Sequence, residues 1–477
     1  MASAPLVGSP QWWLSRLWGE LIGRQARMQR LDDYYSGRHP LPFLTKAHGS
    51  KMRDEFRQLL EDSRSNFMRL VVDAAEERLR VEGFRLSASA DAVADAASWE
   101  IWQANQMDAE SQSGFVEAMV KGVSYLSVWA GKEYPAIAVE DPLQTIVAYV
   151  PGTNFRRRAA ALKVWEDDWT NQLRANVYLP GAIHKFVAPG RSLAGPATPP
   201  SPTEPGLRDL ASAAGWRELE DQVVENPLEV VPIIPLRNRP RLLLEGESEL
   251  CDVTDTQDRI NGQIFLRALA GYFGAHRQRW AVGLRIHEDD KGQPVEPFDV
   301  AIDRLWYSED KDVSFGEFSQ TDLGGYISAI EQDVLHIAIT TRTPRHYLIE
   351  QGQSPSGDAI RSAESGLVKK VERKQRPFGE GLEEAIRLAR RFRGEPDTPV
   401  DSEIVWADPQ TRTEGEVTDA VIKQFTTGLI PWETALQKLG YSQTEITRMA
   451  GERARDALLQ ALLPPPARDD DREGATA

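Results

Sequence analysis

The sequence predicts an α+β fold that is mainly α-helical. Long stretches on both sides of residues 123–187 repeat apolar residues at the period of amphipathic helices, whereas that stretch itself changes to short β-rich runs separated by turn residues. Hydrophobic residues make up 41% and charged residues 27% of the chain, as in ordinary globular proteins. Because 477 residues exceed what one core usually covers, we expect several modules.

The composition also argues against several classes of protein. The chain has no run of eighteen apolar residues, and the uncharged first fifteen residues lack a basic n-region, so we expect neither a membrane span nor a secretory signal. The single cysteine, Cys251, cannot form an internal disulfide and fits a reducing compartment. The net charge of −16 argues against a tight nucleic-acid binder, whose surface is usually basic.

The part of the chain before residue 123 is predicted to be helical. Asn66 is expected to cap a helix that Gly83 closes, and Gly122 is expected to follow the last helix of this part. The predicted helices span 11–36, 50–62, 66–80, 92–105 and 108–121.

The β-rich part that follows is predicted to form one antiparallel meander. Its runs span 123–129, 136–139, 145–150, 159–165, 173–178 and 183–187. The proline-rich segment 188–206 is expected to be a surface loop or flexible excursion. Residues 230–235 are apolar but interrupted by proline, which indicates an extended connector or an edge strand.

Helices return after residue 253. Thr254 and Gln257 have the spacing of a capping box at the start of a helix over 254–276. A turn-rich β module is predicted over 279–318, followed by a helix over 322–339 whose apolar residues alternate at spacings of four and three. Such a heptad pattern is typical of helices that pack against other helices.

The rest of the chain is predicted to be a polar loop over 340–356 and then helices. Pro377 separates two predicted helices, 357–376 and 380–393, because proline interrupts the backbone hydrogen bonds of a helix. Further helices are expected over 415–427, 431–439 and 442–463, and a disordered tail over 464–477.

Known catalytic motifs are missing from the sequence. It contains no Walker A, G-x-S-x-G, H-E-x-x-H or dinucleotide-binding motif, and its seven histidines have no metal-ligand spacing. Clustered carboxylates at Asp32–Asp33, at Glu288–Asp290 and at Glu309–Asp310 with Asp312 could hold Mg²⁺ for phosphodiester cleavage. Since nothing converges on them, solvated loop charge is the favoured interpretation, and we expect no enzyme, metal or cofactor.

A basic stretch occupies the predicted helix 357–376. Lys369, Lys370, Arg373 and Lys374 carry most of its charge. These side chains would contact an acidic neighbouring subunit, DNA phosphates or only solvent, and the sequence leaves these alternatives open.

Several segments, in their order along the chain, resemble one known family. The segments are 31–42 (LDDYYSGRHPLP), 65–73 (SNFMRLVVD), 77–84 (ERLRVEGF), 231–238 (VPIIPLRN), 246–250 (GESEL) and 356–364 (SGDAIRSAE). Together with the order of the predicted elements, they resemble the portal, or head-to-tail connector, proteins of tailed bacteriophages, of the type found in phages of Gram-positive hosts. The resemblance covers roughly 12–396, and the C-terminal helices fit it only loosely.

The resemblance implies a ring, commonly of about twelve subunits, at one capsid vertex, with DNA passing through its tunnel. It divides the chain into a wing over 1–235, a connector and first stem helix over 236–278, a clip over 279–321, a second stem helix over 322–339, a tunnel loop over 340–356, a long helical wing and tunnel segment over 357–396, a helical crown over 397–463 and the tail over 464–477.

The resemblance also implies partners and a location. The expected partners are other copies of the chain, double-stranded DNA bound without sequence preference, the terminase large subunit, head–tail adaptors, and the major capsid and scaffold proteins, with no membrane. The protein would lie at the portal vertex of the virion after assembly in the host cytoplasm. A metal-dependent phosphodiesterase and a virion scaffold without a channel are the alternatives.

The resemblance assigns candidate residues to two roles. The DNA-channel candidates are Arg342, Arg345, His346, Tyr347, Gln351 and Gln353. The subunit-packing candidates are Ile260, Ile264, Leu269, Leu323, Ile327, Ile330, Val334 and Ile337.

Overall fold

The protein is described by a computed structural model that divides into two compact units, Met1–Pro409 and Gln410–Ala477. The structure describes residues 5–41, 54–86, 95–189, 215–275, 279–283, 312–317, 322–349, 357–395, 402–410, 414–441 and 443–462. Most of the proline-rich segment 188–206 and the tail 464–477 lie outside these residues. More of the described residues lie in helices than in strands, and both are present. This confirms the predicted α+β class.

The N-terminal helices form close to the predicted ranges, except that the third helix ends at Glu76 and not at residue 80. They are α1 (Pro10–Ser36), α2 (Asp54–Asp62), α3 (Met68–Glu76), α4 (Ala96–Ala104) and α5 (Met107–Lys121). The Asn66 Oδ1 atom accepts from the backbone N–H groups of Met68 and Arg69, as expected of a cap. Gly37 and Gly122 follow α1 and α5 with φ of 76° and 97°, a left-handed conformation that glycine adopts without a steric penalty.

The β-rich part forms two sheets, not the single predicted meander. Strands β2 (Val123–Trp129) and β3 (Ala136–Glu140) join β10 (Ile233–Arg237) in a three-stranded sheet, and β10 is the edge strand that its prolines indicated. Strands β4 (Thr145–Tyr149), β5 (Arg158–Asp167), β6 (Gln172–Tyr178) and β7 (Ala182–Pro189) belong to a six-stranded sheet with the short strands β8 (Arg217–Glu218) and β9 (Val224–Glu225).

A tight turn at Asp141 separates the two sheets. The Asp141 carboxylate accepts from the N–H of Leu143, and its carbonyl accepts from the N–H groups of Gln144 and Thr145. A turn of this kind redirects the chain between β3 and β4, so that β4 pairs with β5 instead of continuing the first sheet.

A strand pair far apart in sequence corrects two predictions. Helix α3 ends at Glu76, and β1 (Val81–Leu86) follows it, although the sequence predicted a helix to residue 80 that Gly83 closes. Strand β1 pairs antiparallel with β13 (Ser402–Trp406). Residues 402–406 were predicted as part of a helical crown, but this pairing places them in the first unit.

Helix α9 (Gly357–Phe392) runs through Pro377, where the sequence predicted a break. Proline inside a helix costs about 3 kcal/mol because it removes one hydrogen bond and crowds the preceding turn. Val371, Phe378 and Leu382 are buried on both sides of the proline in the largest apolar cluster of the protein. This packing offsets the cost and keeps the helix continuous.

Apolar clusters join the elements of the first unit. The largest one combines side chains of α3, α4, α5, β1, β2, β10 and α9. A second cluster packs the face of α1 that carries Leu14, Leu17 and Leu21 on the six-stranded sheet. In the first unit the helices therefore pack on the three-stranded sheet, the six-stranded sheet and the β1–β13 pair.

Helices α6 (Thr254–Ala275) and α7 (Gly324–Thr341) pack against each other, as the heptad pattern predicts. The structure describes one antiparallel pair between them, β11 (Arg279–Val282) with β12 (Ser314–Glu317), and the rest of the predicted β module lies outside the described residues. The predicted capping box does not form, because the N–H of Gln257 bonds to the carbonyl of Val253.

The second unit contains α10 (Glu414–Thr426), α11 (Trp432–Lys438) and α12 (Gln443–Leu462), close to the predicted ranges. The Arg453 guanidinium lies 5.0 Å from the centre of the Trp432 ring and joins α12 to α11. Lys438 donates to the side chain of Gln424 at 3.2 Å and joins α11 to α10.

Candidate functional site

The end of α7 begins the segment predicted as a polar loop. Arg342 has a left-handed φ of 57°, and its N–H bonds to the carbonyls of Ala338 and Ile339. The N–H of Thr343 bonds to the same Ala338 carbonyl at 3.0 Å, and the short helix α8 (Arg345–Leu348) follows. The part of the predicted loop that the structure describes is therefore ordered by backbone hydrogen bonds.

Tyr347 fixes this segment to the body of the first unit. Its hydroxyl donates to the Glu364 carboxylate at 3.0 Å and accepts from the Arg78 guanidinium at 2.7 Å. Arg78 also pairs with Glu364 at 3.3 Å and donates to the Pro409 carbonyl at 2.8 Å. Burial raises the pKa of Tyr347. The hydroxyl thus stays protonated and serves as a structural link.

The other DNA-channel candidates differ in their exposure. Arg342 and Arg345 are exposed, and neither forms an ion pair with a described residue. His346 is half-buried, with Nε2 3.7 Å from the Glu364 carboxylate. Gln351 and Gln353 lie outside the described residues. Of the predicted set, Arg342 and Arg345 present free cations to solvent.

The basic stretch of α9 divides into an inner and an outer side. Lys370 and Lys374 are 8% and 4% exposed, and both ammonium groups contact the buried Glu249 carboxylate, with Lys370 at 2.9 Å. Lys370 also donates to the Thr341 carbonyl at 3.0 Å, and Lys374 donates to the side chain of Asn238. This ion cluster links α9, the end of α7 and the segment that precedes α6.

The cluster changes the ionisation of its members. Burial opposes ionisation of Glu249, but the two ammonium groups outweigh it and hold the pKa of the carboxyl well below its usual range. Burial, only partly offset by Glu249, lowers the pKa of the Lys374 ammonium to about 8. At neutral pH the Glu249 carboxylate is therefore ionised and the Lys374 ammonium keeps its charge inside the protein.

The ion cluster corrects the interpretation of the basic stretch. The sequence offered a neighbouring subunit, DNA or solvent as the partner of these residues, but Lys370 and Lys374 are paired within the chain. Lys369 and Arg373 face outward, and Lys369 pairs with Glu372 at 2.7 Å. The lysines at 370 and 374 share the face of α9 that carries the buried Leu367 and Val371. The helical spacing of these four residues is the sequence signal that could have predicted that both lysines face inward.

The exposure of the subunit-packing candidates increases along α6 and α7 toward the β11–β12 pair. Val334 and Ile337 on α7 and Ile260 on α6 are at most 2% exposed inside the chain. Ile264 and Ile330 pack partly on the same apolar cluster, and Leu269 packs on a smaller one. Leu323 is half-buried, and Ile327 is 45% exposed. The half of this helix pair nearer the β11–β12 pair therefore leaves apolar surface uncovered within one chain.

A network of buried amides at the start of α6 was not predicted. Gln257 accepts from the N–H of Phe67 at 2.9 Å and donates to the Ser65 carbonyl at 3.0 Å. Asn261 accepts from the N–H of Ser65 at 2.9 Å. It also lies 2.7 Å from the Nε2 atom of His39, whose pKa burial lowers to about 4. Amides at i and i+4 on an apolar helix face are the sequence signal for such a network.

The carboxylates considered for Mg²⁺ do not form a metal site in the described part of the chain. Asp32 and Asp33 both pair with Arg38, at 3.1 and 3.9 Å. The clusters at 288–290 and 309–310 lie outside the described residues, and Asp312 is exposed. No group of three potential metal ligands occurs among the residues that were placed. None of the helices in that part of the chain is long and apolar enough to span a membrane.

Comparisons with known proteins agree with the sequence resemblance. Residues 15–457 match the family described as phage portal protein, SPP1 Gp6-like. The chain is 33% identical to the portal protein of Mycobacterium phage L5 over 431 residues, which cover 85% of this chain and 81% of the relative. It is 33% identical to the portal protein of Mycobacterium phage D29 over 413 residues, which cover 80% and 77%. The family match extends beyond residue 396, where the resemblance in sequence was loose.

Proposed function

The chain belongs to the SPP1 Gp6-like family of phage portal proteins, and from this premise we propose that about twelve copies form a ring at one vertex of a capsid. Double-stranded DNA would enter the capsid through this ring during packaging and leave through it during ejection. The family match over 15–457 is the observation that carries the proposal. The family is a structural one, and neither a phosphodiesterase nor a channel-free scaffold is favoured.

The helix pair α6 and α7 supports the assembly of a ring. Its inner half is buried in the chain, and its outer half exposes Leu266, Tyr272 and Ile327 at 39%, 47% and 45%. Apolar side chains in a row along packed helices gain about 25 cal/mol for each Å² that a neighbour covers. We therefore assign the outer half of the pair to contacts between neighbouring subunits.

Arg342 and Arg345 are the described side chains that we propose to face the passing DNA. They lie at consecutive helix ends, carry free guanidinium groups and are held on an ordered backbone. Each firm phosphate contact steepens the salt dependence of binding by roughly 0.9 units of log–log slope, so a few cations give weak, sequence-independent contacts. The net charge of −16 per chain fits a tunnel that lets DNA slide.

The remaining partners follow from the same proposal. The clip around β11 and β12 would receive the terminase large subunit and later the head–tail adaptors. The wing would contact the major capsid and scaffold proteins. The protein would assemble in the host cytoplasm and remain in the virion at the portal vertex.

The assembly is tested by imaging the purified full-length chain in negative stain and by weighing it with native mass spectrometry. We expect closed rings of about twelve copies with a central opening. A chain that stays monomeric at micromolar concentration in the presence and absence of a scaffold protein would contradict the ring.

The DNA contact is tested in assembled particles with Arg342→Gln and Arg345→Gln combined. Rings should form as in the wild type, whereas the rate of packaging or the retained DNA length should fall. Arg16→Gln, which removes an exposed cation of α1, is the matched control and should package normally. A deletion confined to 350–355 is the second variant, because it spares the contact of Tyr347 with Glu364. Normal packaging by both variants would remove the role of this segment.

A further inference from the structure

The hairpin between β5 and β6 ends in a fully exposed tryptophan. Trp169 is 99% exposed. The Asp167 carboxylate accepts from the N–H groups of Trp169 and Thr170 at 3.1 and 3.3 Å and pairs with Arg174 at 2.6 Å. The backbone of the tip is therefore fixed, and the indole projects from a rigid support. A tryptophan that becomes covered buries about 150–250 Å².

The tryptophan has acidic neighbours. Glu166 and Asp168 flank the turn, Asp168 is exposed, and neither carboxylate forms an ion pair with a described residue. The tip thus combines one large aromatic side chain with uncompensated negative charge. A surface that receives it should be apolar at its centre and basic at its rim.

A cavity at the opposite end of the same sheet has this character. Strand β5 separates the two ends and, with ten residues, spans about 33 Å. The cavity has a volume of about 370 Å³. Its apolar wall consists of Phe155, Leu242 and Leu244, and its basic groups are Arg156, Arg237 and Arg241.

The rim of the cavity is exposed and rigid. Leu242 and the neighbouring Leu243 are 77% and 89% exposed, on a turn that the backbone of Arg241 and Leu244 closes with hydrogen bonds of 3.0 and 3.1 Å. Arg156 and Arg241 are exposed and make no ion pair with any residue that the structure describes. Free guanidinium groups beside apolar side chains can both pair with carboxylates and lie over an indole ring.

The wall of the cavity contains a strained residue. Phe155 has a φ of 62°, which is unusual for a bulky side chain. Arg237 holds it by donating to the Phe155 carbonyl at 2.5 Å, and the Tyr149 ring packs against the Phe155 ring at 5.2 Å. The lining also includes the Glu245 carboxylate, which accepts from the Tyr149 hydroxyl. The strained conformation is thus maintained by specific contacts.

We propose that the Trp169 hairpin of one copy of this chain inserts into the Phe155–Leu242 cavity of the next copy around the ring. The indole would cover the exposed leucines, and Glu166 and Asp168 would meet Arg156 and Arg241. This inference rests on the proposed ring and adds to it the surfaces that join neighbouring subunits outside the helix pair α6 and α7.

A second copy of the chain is the occupant that the two surfaces favour. Their charges are opposite in sign, and they lie at opposite ends of one sheet, so one chain cannot bring them together. Two different surfaces of a subunit that bind each other form a head-to-tail interface, and such an interface closes into a ring when its rotation fits. The same arrangement gives each subunit one donor and one acceptor.

The first test compares the full-length wild type with Trp169→Ala by sedimentation velocity across a range of protein concentrations. Loss of a tryptophan hot spot should weaken each contact between subunits by roughly 30-fold, with an unchanged circular dichroism spectrum. Trp169→Phe keeps an aromatic ring and should retain most of the assembly. Rings of Trp169→Ala at wild-type concentrations would overturn this inference alone, whereas a wild type that forms no rings would overturn the proposed assembly with it.

A charge exchange tests the pairing of the two surfaces. Asp168→Lys and Arg241→Glu should each reduce ring formation, and the two changes combined in one chain should restore it. Cross-linking then tests the contact directly in a Cys251→Ser background. Oxidation of Trp169→Cys combined with Leu242→Cys should give a ladder of disulfide-linked chains, and each single cysteine should not. Rings that give no ladder, or no restoration by the combined charge exchange, would overturn the proposed contact.

Discussion

Replacing Glu249 with Gln should destabilise the first unit by about 3–5 kcal/mol. The carboxylate is 6% exposed and is shared by Lys370 and Lys374, which are 8% and 4% exposed. Its loss would leave two buried ammonium groups without a counter-charge, and removing one partner of a buried ion pair costs about 3–5 kcal/mol. Because two cations lose their partner here, the upper part of that range applies.

Urea unfolding of the full-length chain measures this loss as the change in the free energy of unfolding. Glu372→Gln is the matched control, since Glu372 lies on the outer side of the same helix and pairs with the 72% exposed Lys369 side chain. An exposed pair contributes about 0–1 kcal/mol, so the control should unfold almost as the wild type does.

A variant without any of the three charges separates unpaired charge from lost packing. Glu249→Leu combined with Lys370→Met and Lys374→Met should recover much of the stability that Glu249→Gln loses, because apolar replacements of buried ion pairs are often neutral or stabilising. Two results would refute the reasoning. One is a Glu249→Gln chain within about 1 kcal/mol of the wild type, and the other is a triple variant less stable than Glu249→Gln.

The remaining predictions concern pH, the start of α6 and assembly. The pKa of Lys374 is about 8 in the folded chain, below its ordinary value of 10.5. Between these two pH values the unfolded chain binds a proton that the folded chain lacks. The stability of the folded chain therefore rises with pH in this range. The stability of the wild type relative to Lys374→Met should therefore rise by about 1.5 kcal/mol from pH 8 to 9.5 in urea unfolding, and a flat difference would contradict the lowered pKa. Asn261→Ala leaves the N–H of Ser65 without its partner and should cost about 1–3 kcal/mol by the same assay, whereas a loss below 0.5 kcal/mol would mean that water replaces the amide. Ile327→Asp should reduce ring formation without changing the melting temperature of the separate chain, because Ile327 is 45% exposed in that chain. Native mass spectrometry measures the rings. Normal ring formation would argue against a subunit contact at this residue.

Local signals in the sequence were sufficient for most elements. The ends of helices could be predicted at Asn66, Gly37 and Gly122. These residues end helices through the conformation and hydrogen bonds of backbone groups only a few residues away. The apolar periods of α6 and α7 predicted that these helices pack together, since the period alone fixes which side chains share a face. The ordered set of family-like segments predicted the portal family, and the match over 15–457 confirmed it.

The tertiary structure decided features that depend on residues far apart in the chain. Strand β1 was missed because its partner, β13, lies more than 300 residues away, and a strand is stabilised by its neighbour and not by its own sequence. Helix α9 continues through Pro377 because buried side chains on both sides offset the local cost of proline. The prediction for the basic stretch differed most from the structure. Lys370 and Lys374 point inward to Glu249, which lies about 120 residues earlier in the chain.

The same distinction applies to the candidate surfaces. The sequence determined which residues carry charge or aromatic surface, but it did not indicate that Trp169 stands fully exposed at one end of a sheet and a cavity with arginines at the other. Exposure and cavity shape arise when separate segments pack, and here residues 154–156, 237, 240–242 and 244–245 come together only in the fold. Local chemistry is encoded in short segments, whereas the partner of each charged or apolar group is chosen by the folded chain.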